Sequence, residues 1–212
     1  MFRAPSTFLD QLLGAADEAL RTLSGAVTAS RPAPARDRSV PASEHDRRVS
    51  AGLMRVNHAG EICAQALYSG QALVARDARV RGALQSAAAE ERDHLAWCRG
   101  RLVELGSRPS LLDPLWYAGS FAWGVASGLA GDRWSLGFLA ETEAQVERHL
   151  EGHLGRLPVD DACSREIVEK MREDEARHGQ TGRSLGAADL PYPVKRAMQA
   201  ASKVMTRTAY WV

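Results

Sequence analysis

The chain has 212 residues, 45% of them hydrophobic and 25% charged, with a formal net charge of +1. That length supports one domain with a sizeable core plus a tail, and the near-neutral balance gives no global signal for nucleic acid. Three cysteines without a Cys-x-x-Cys pair fit a reducing compartment and argue against a disulfide framework.

Residues 1–24 carry Phe8, Leu9, Leu12, Leu13, Ala16 and Leu20 at helical spacing, which predicts an amphipathic helix docking on another surface. Asp10, Asp17 and Glu18 interrupt the apolar character, so no secretory leader is expected. Residues 25–49 are rich in Ala, Arg, Pro and Ser, lack periodic apolar positions and read as a mobile linker. A helical domain is expected over 50–212. Segment 50–78 is Ala-rich and apolar on most sides. Segment 82–105 sets Leu84, Ala87, Ala88, Leu95, Cys98, Leu102 and Leu105 on one stripe, closed by Gly106 and Pro109. Asp113-Pro114 reads as an N-cap with proline at the first helical position.

The helix that follows, to about residue 131, is free of charge and sits at the lower edge of a membrane span. Four glycines and two serines make residues 114–131 weakly apolar, so a span is rejected. A buried packing helix and an interfacial surface bearing Trp116, Tyr117, Phe121 and Trp123 are both open. Segments 134–157 and 164–183 repeat the helical stripe, and a basic helix covers 193–208. Without a run of alternating β-branched residues, the fold class is all-α.

Glu91-Arg-Asp-His94 and Glu175-Ala-Arg-His178 are two Glu-x-x-His motifs. Spacing of three puts both side chains on one helix face, close enough to share a metal centre. Each motif continues its helix's apolar stripe, as do Glu143, between Leu139 and Val146, and Glu61, a heptad from Met54 and Tyr68. Buried unpaired carboxylates cost several kcal/mol each, so four of them require neutralisation. Two iron or manganese ions would supply it. A lone glutamate precedes each motif by roughly thirty residues, the length of a helical hairpin. One Glu from each of two helices and Glu-x-x-His from the other two is the pattern of ferritin-like carboxylate bundles. A span across 114–131 would separate these two halves by a bilayer, the second reason for rejecting it. Glu90 and Asp174 precede the motif glutamates and are placed to accept the second imidazole N–H of the opposite half's histidine. His149 is a further candidate near the centre, His58 reads as structural or surface, and His153 reads as surface.

The strings VNHAGEICAQALYSGQA, EERDHLAWC, PLWYAGSFAWG, WSLGFLAETEAQVERHL, MREDEARHG and AMQAASKVMTRTAYW resemble the bacterial demethoxyubiquinone hydroxylase family, in order, from about residue 50 to the end. The resemblance implies a ferritin-like di-iron monooxygenase of ubiquinone biosynthesis. It implies two Fe ions per subunit on Glu61, Glu91, His94, Glu143, Glu175 and His178, with Glu91 and Glu175 as bridges. It implies O₂ and a 2-polyprenyl-3-methyl-6-methoxy-1,4-benzoquinol as substrates. It also implies peripheral attachment at the cytoplasmic face of the cell membrane, and possible membership of a ubiquinone-biosynthesis complex. One departure is Leu150, where some members carry Tyr after the histidine matching His149. The rivals are a ferritin-like ferroxidase and a non-catalytic scaffold of that complex. A rubrerythrin-like peroxidase would need a Cys₄ iron site that three cysteines cannot supply.

Overall fold

The computed structural model describes residues 7–212 and forms seven helices. They are α1 (Phe8–Ser24), α2 (Glu44–Val74), α3 (Ala78–Glu104), α4 (Asp113–Leu129), α5 (Asp132–Leu154), α6 (Ala162–Ser184) and α7 (Tyr192–Ala209). Among the described residues there is no strand. Residues 1–6, the start of the expected N-terminal helix, lie outside the described residues.

The boundaries follow from local chemistry. Thr7 and Asp10 form a reciprocal capping box at α1, and Gly25, at φ 73°, closes that helix. Ser43, Asp77 and Asp161 cap α2, α3 and α6 through their side chains, each filling one of the orphan N–H positions of a first turn. Asp113 is not an N-cap. Leu112 holds that position without a side-chain bond, and Asp113 turns its carboxylate to the buried His58, Oδ2 to Nδ1 3.2 Å. His58 is therefore a packed core histidine.

The stretch 25–49, expected as a mobile linker, divides in two. Residues 44–49 already belong to α2, because the Ser43 cap starts the helix early. Residues 26–43 hold no helix but run along the bundle as a strap. Ser30 and Arg31 hydrogen-bond Asp93 on α3, and buried Arg101 donates to the carbonyls of Arg38 and Ser39. The composition hid these contacts, since polar anchors carry no apolar period.

Helices α2 with α3 and α5 with α6 form two hairpins that meet through α3–α6 and α2–α5. Two apolar layers fill the bundle. One contains Leu53, Met54, Cys98, Leu102, Leu150, Ile167 and Met171. The other contains Leu67, Leu84, Ala87, Leu136 and Leu139. Each of the four helices passes from one layer to the other through the positions of its ligand candidates.

Helix α4 lies along α2 instead of joining the bundle. Gly70 and Gly124 permit this contact: a methyl on Gly124 would run into the Leu67 carbonyl, and one on Gly70 into the Phe121 carbonyl. Tyr117, Gly124 and Gly128 of α4 are buried, as a packing helix requires, while Leu115, Trp123 and Leu129 are exposed; of the four aromatics expected on an interfacial surface, Tyr117 is buried and Trp123 exposed. No helix among the described residues is long and apolar enough to cross a membrane.

The glycine contact sets the first expectation. Gly124→Ala should lower unfolding free energy by about 1–3 kcal/mol, the usual cost of overpacking. Gly119→Ala, on the same helix with open space at its Cβ, should be neutral or stabilising by up to about 1 kcal/mol. Urea midpoints of the two variants at constant slope measure the difference.

Candidate metal centre and adjoining cavity

The structure brings the six expected ligand candidates into one buried cluster. Two overlapping sets emerge: Glu61, Glu91, His94 and Glu175, and Glu91, Glu143, Glu175 and His178, with ligand atoms of each set within 4.8 Å of one another. Glu91 and Glu175 belong to both sets and so lie between the other four residues. Both histidines turn Nδ1 inward. His94 Nδ1 lies 3.0 Å from Glu91, 3.3 Å from Glu175 and 3.5 Å from Glu61. His178 Nδ1 lies 3.3 Å from Glu91, 3.5 Å from Glu175 and 3.7 Å from Glu143.

Burial and mutual repulsion push the Glu61 and Glu143 carboxyls far above the usual range. Burial opposes ionisation of Glu91 and Glu175 too, and Glu91 adds repulsion at Glu175. His178 and His94 outweigh these and hold both below it. The imidazoles are driven the other way despite their burial: the surrounding carboxylates raise His94 strongly and His178 to about 10. Without a metal, protons are thus the counter-charge that the acids demand. Several buried atoms still lack any hydrogen-bond partner among the described residues: Glu91 Oε1, Glu143 Oε2, both Glu175 oxygens and both His178 nitrogens. The unpartnered oxygens and the inward His178 Nδ1 at the same spot fit a pair of divalent cations, and mixed carboxylate–imidazole donors suit iron or manganese.

The outer nitrogens differ between the halves. His94 Nε2 lies 3.1 Å from Asp174 Oδ2 on α6, an acceptor that fixes the tautomer leaving Nδ1 free for a metal. His178 Nε2 lies 3.4 Å from Glu90 Oε2 on α3 without hydrogen-bond geometry. His94, Arg31 and Lys170 outweigh desolvation at Asp174 and keep it ionised far below the usual range.

Tyr68, one heptad beyond Glu61, donates its phenol to Glu143 Oε1. Its spacing was visible, but a tyrosine on a buried stripe reads as packing until its hydroxyl partner is known. His149 makes no contact with the six-residue cluster among the polar contacts of the described residues. Its ring lies against that of His153, centroids 3.9 Å apart and planes tilted by 58°. His153 is buried, not surface as its sequence position suggested. Desolvation lowers His149 to about 4 and His153 to about 2, so both are neutral at physiological pH.

A cavity of about 570 Å³ opens between α2, α4, α5 and α7 and reaches Glu61. Its walls are mostly apolar, with Leu67, Trp116, Phe138, Met198 and Met205 among them, and His149 and Leu150 sit on the α5 side. A smaller cavity of about 220 Å³ reaches His178 from elsewhere, past Ser86, Glu90, Arg177 and Thr181.

The family model of ubiquinone biosynthesis protein COQ7 matches residues 48–209. The chain belongs to this family. A 3-demethoxyubiquinol 3-hydroxylase of Bordetella parapertussis is 61% identical over 206 residues, covering 96% of this chain and 93% of that relative. Proteins of the same name from Ralstonia pickettii and Cupriavidus necator are 56% and 58% identical, each covering 95% of this chain and 99% of the relative. In fold, this COQ7 family member is similar to the bacterioferritin-related protein of Bacteroides fragilis, described as a dodecameric thioferritin. The TM-score is 0.51 at 17% identity, over 74% of this chain and 90% of that one. This likeness establishes the ferritin-like all-α architecture and nothing about assembly.

The histidine pair carries a pH expectation. Each folded pKa lies below the ordinary value of 6.5, so the folded chain binds fewer protons than the unfolded one. The stability they contribute is complete above about pH 6.5 and drains as pH falls toward 4, by about 2 kcal/mol per histidine at pH 5. His153→Gln should make the change in unfolding free energy between pH 7 and pH 5 more favourable by about 2 kcal/mol than in the unaltered chain. An unchanged slope would contradict the assignment.

Proposed function

We propose that this chain is a 3-demethoxyubiquinol 3-hydroxylase, which adds a hydroxyl to the ring of a 2-polyprenyl-3-methyl-6-methoxy-1,4-benzoquinol with O₂. The observation that carries the reading is the apolar cavity that ends on Glu61 of a cluster able to hold metal. Relatives bearing that activity in their names cover nearly the whole chain. The cavity that reaches Glu61 is lined chiefly by carbon, which suits a prenylated quinol better than the iron ions of a ferroxidase.

The centre is proposed as two iron ions on Glu61, Glu91, His94, Glu143, Glu175 and His178. When bound, they supply the redox chemistry with O₂ that no side chain can perform. The protein's own work is separable from that. Asp174 holds the His94 imidazole in register, and Tyr68 fixes the Glu143 carboxylate. Apolar walls exclude water and give the prenyl tail a surface matched to it. The His149 Nε2 is buried without a partner among the described residues and belongs to a neutral ring on the cavity wall. It is placed to accept a hydrogen bond from a ring hydroxyl and so orient the quinol head.

Peripheral attachment to the cytoplasmic face of the cell membrane belongs to the same proposal. Leu9, Leu13 and Leu20 on α1 are 63%, 61% and 71% exposed, and Trp123 at the cavity wall is 58% exposed. In α1 the apolar side faces outward, because Glu18 turns inward to bond Gln65. An outward leucine face supports contact with lipid, where the substrate's tail resides.

Two measurements test the proposal. The purified protein, reconstituted with Fe(II) and a reductant, should convert demethoxyubiquinol with label from isotopic O₂ in the new hydroxyl. Glu143→Ala should lower that rate roughly a hundredfold or more and reduce bound iron. Label found only in water would sink it. Separately, Leu13→Glu with Leu20→Glu should cut co-sedimentation with anionic vesicles several-fold while leaving turnover of a short-chain quinol unchanged.

A further inference from the structure

The strap places one arginine behind the metal centre. Arg31 donates through Nε to Asp93 Oδ2 at 2.5 Å and through Nη1 to Asp174 Oδ2 at 2.8 Å. That Asp174 oxygen is the one 3.1 Å from His94 Nε2. The other side of Arg31 is equally constrained. Its guanidinium lies over the Trp97 ring at 5.0 Å, its carbonyl accepts the Trp97 indole N–H, and the Trp97 ring packs against His94 at 5.4 Å. Ser30 adds its backbone N–H and hydroxyl to Asp93 Oδ1.

We infer that Arg31 is a positioning residue for the His94 side of the metal centre, acting through Asp174 and Trp97. The assignment rests on the di-iron reading of the six-residue cluster. Two other cations reach Asp174, but differently. Lys170 and Arg177 approach its other oxygen, Oδ1, at 3.1 and 2.9 Å, and both come from α6 itself. Arg177 also pairs with Glu90 and so ties α6 to α3, but it holds Asp174 by Oδ1 and not by the oxygen that faces His94. Arg31 alone of the three grips that Oδ2 while holding an α3 acid, Asp93, and it does so with a rigid planar fork that a lysine cannot reproduce. It thereby sets the direction of the Oδ2 lone pairs and, through them, the rotation of the His94 ring. The other half is held less directly: His178 Nε2 lies 3.4 Å from Glu90, which is a third exposed, pairs with Arg177 of the same helix as His178 and lies 3.9 Å from Arg31. Arg31 thus grips the His94 side at 2.8 Å and only approaches the His178 side, so its removal weighs mainly on one ion.

The test is a Co(II) titration of the full chain, followed by its visible ligand-field absorption, a readout independent of quinol turnover. The unaltered chain should take up two ions, and Glu143→Ala should impair the His178-side ion. Arg31→Ala should weaken one of the two binding steps by about tenfold, the lower end of what a ligand histidine loses with its carboxylate partner. It should also shift that ion's absorption while sparing the other. Arg31→Lys keeps a charge beside Asp174 but not the fork. It should retain the altered spectrum, and it replaces Arg31→Ala should that variant unfold. Arg38→Ala removes a different strap anchor, the pair with Glu104, and should leave both steps unchanged. Normal two-ion binding with Arg31→Ala and Arg31→Lys indistinguishable from the unaltered chain would overturn the assignment. An equal effect of Arg38→Ala would also overturn it, by reducing Arg31 to a general tether. Failure of the unaltered chain to bind two ions would overturn the metal-centre reading itself.

Discussion

Four carboxylates and two imidazoles share one water-poor layer in the middle of this bundle, and that layer governs the structure around it. The acids repel one another, and burial denies them solvent. Each helix of the bundle contributes an acid, and α3 and α6 also contribute the histidines. The motif spacing sets a histidine within reach of every acid, and Asp174 holds His94 from behind. The two apolar layers on either side keep water out and so raise the stakes of every unpartnered oxygen. A cation pair resolves the conflict that protons resolve in its absence.

The surroundings of this layer are not symmetric, although its ligands are. One side opens to a cavity walled by α4 and α7, helices that stand outside the four-helix core. The glycine pair that brings α4 against α2 therefore has a functional result: it sets the width of that cavity's wall. The neutral histidine pair on α5 belongs to the same economy, since a charged wall would hold water where a quinol head must sit. The strap instead meets Asp93 and Asp174, behind His94. Apolar cavity and polar support thus fall on different elements.

Much of this was legible in the sequence because helical spacing is a strong constraint. Glu91 with His94, and Glu175 with His178, can only share a face, and their stripe neighbours Leu95 and Met171 point that face inward. The seven helices and the opposite-half role of Asp174 came from the same logic. What escaped depends on contacts between distant segments. Arg31 sits in a stretch whose proline and arginine content resembles a solvated tether, and nothing local shows that Asp93 and Asp174 await it. His153 looked like a surface residue because its partner, His149, is also polar, and a buried polar pair leaves no hydrophobic trace. Asp113 looked like a cap because Asp-Pro is a cap sequence, whereas its carboxylate answers a histidine on α2. In each case a side chain was committed to a tertiary partner that the local pattern does not encode.

The strap has a consequence in time as well as in space. Each half-site arises within a hairpin whose ligands are roughly thirty residues apart, contacts that close quickly. The Arg31–Asp174 bond joins residues 143 apart in the chain and needs both hairpins docked before it has anything to grip. The latch can close only on hairpins that have already docked.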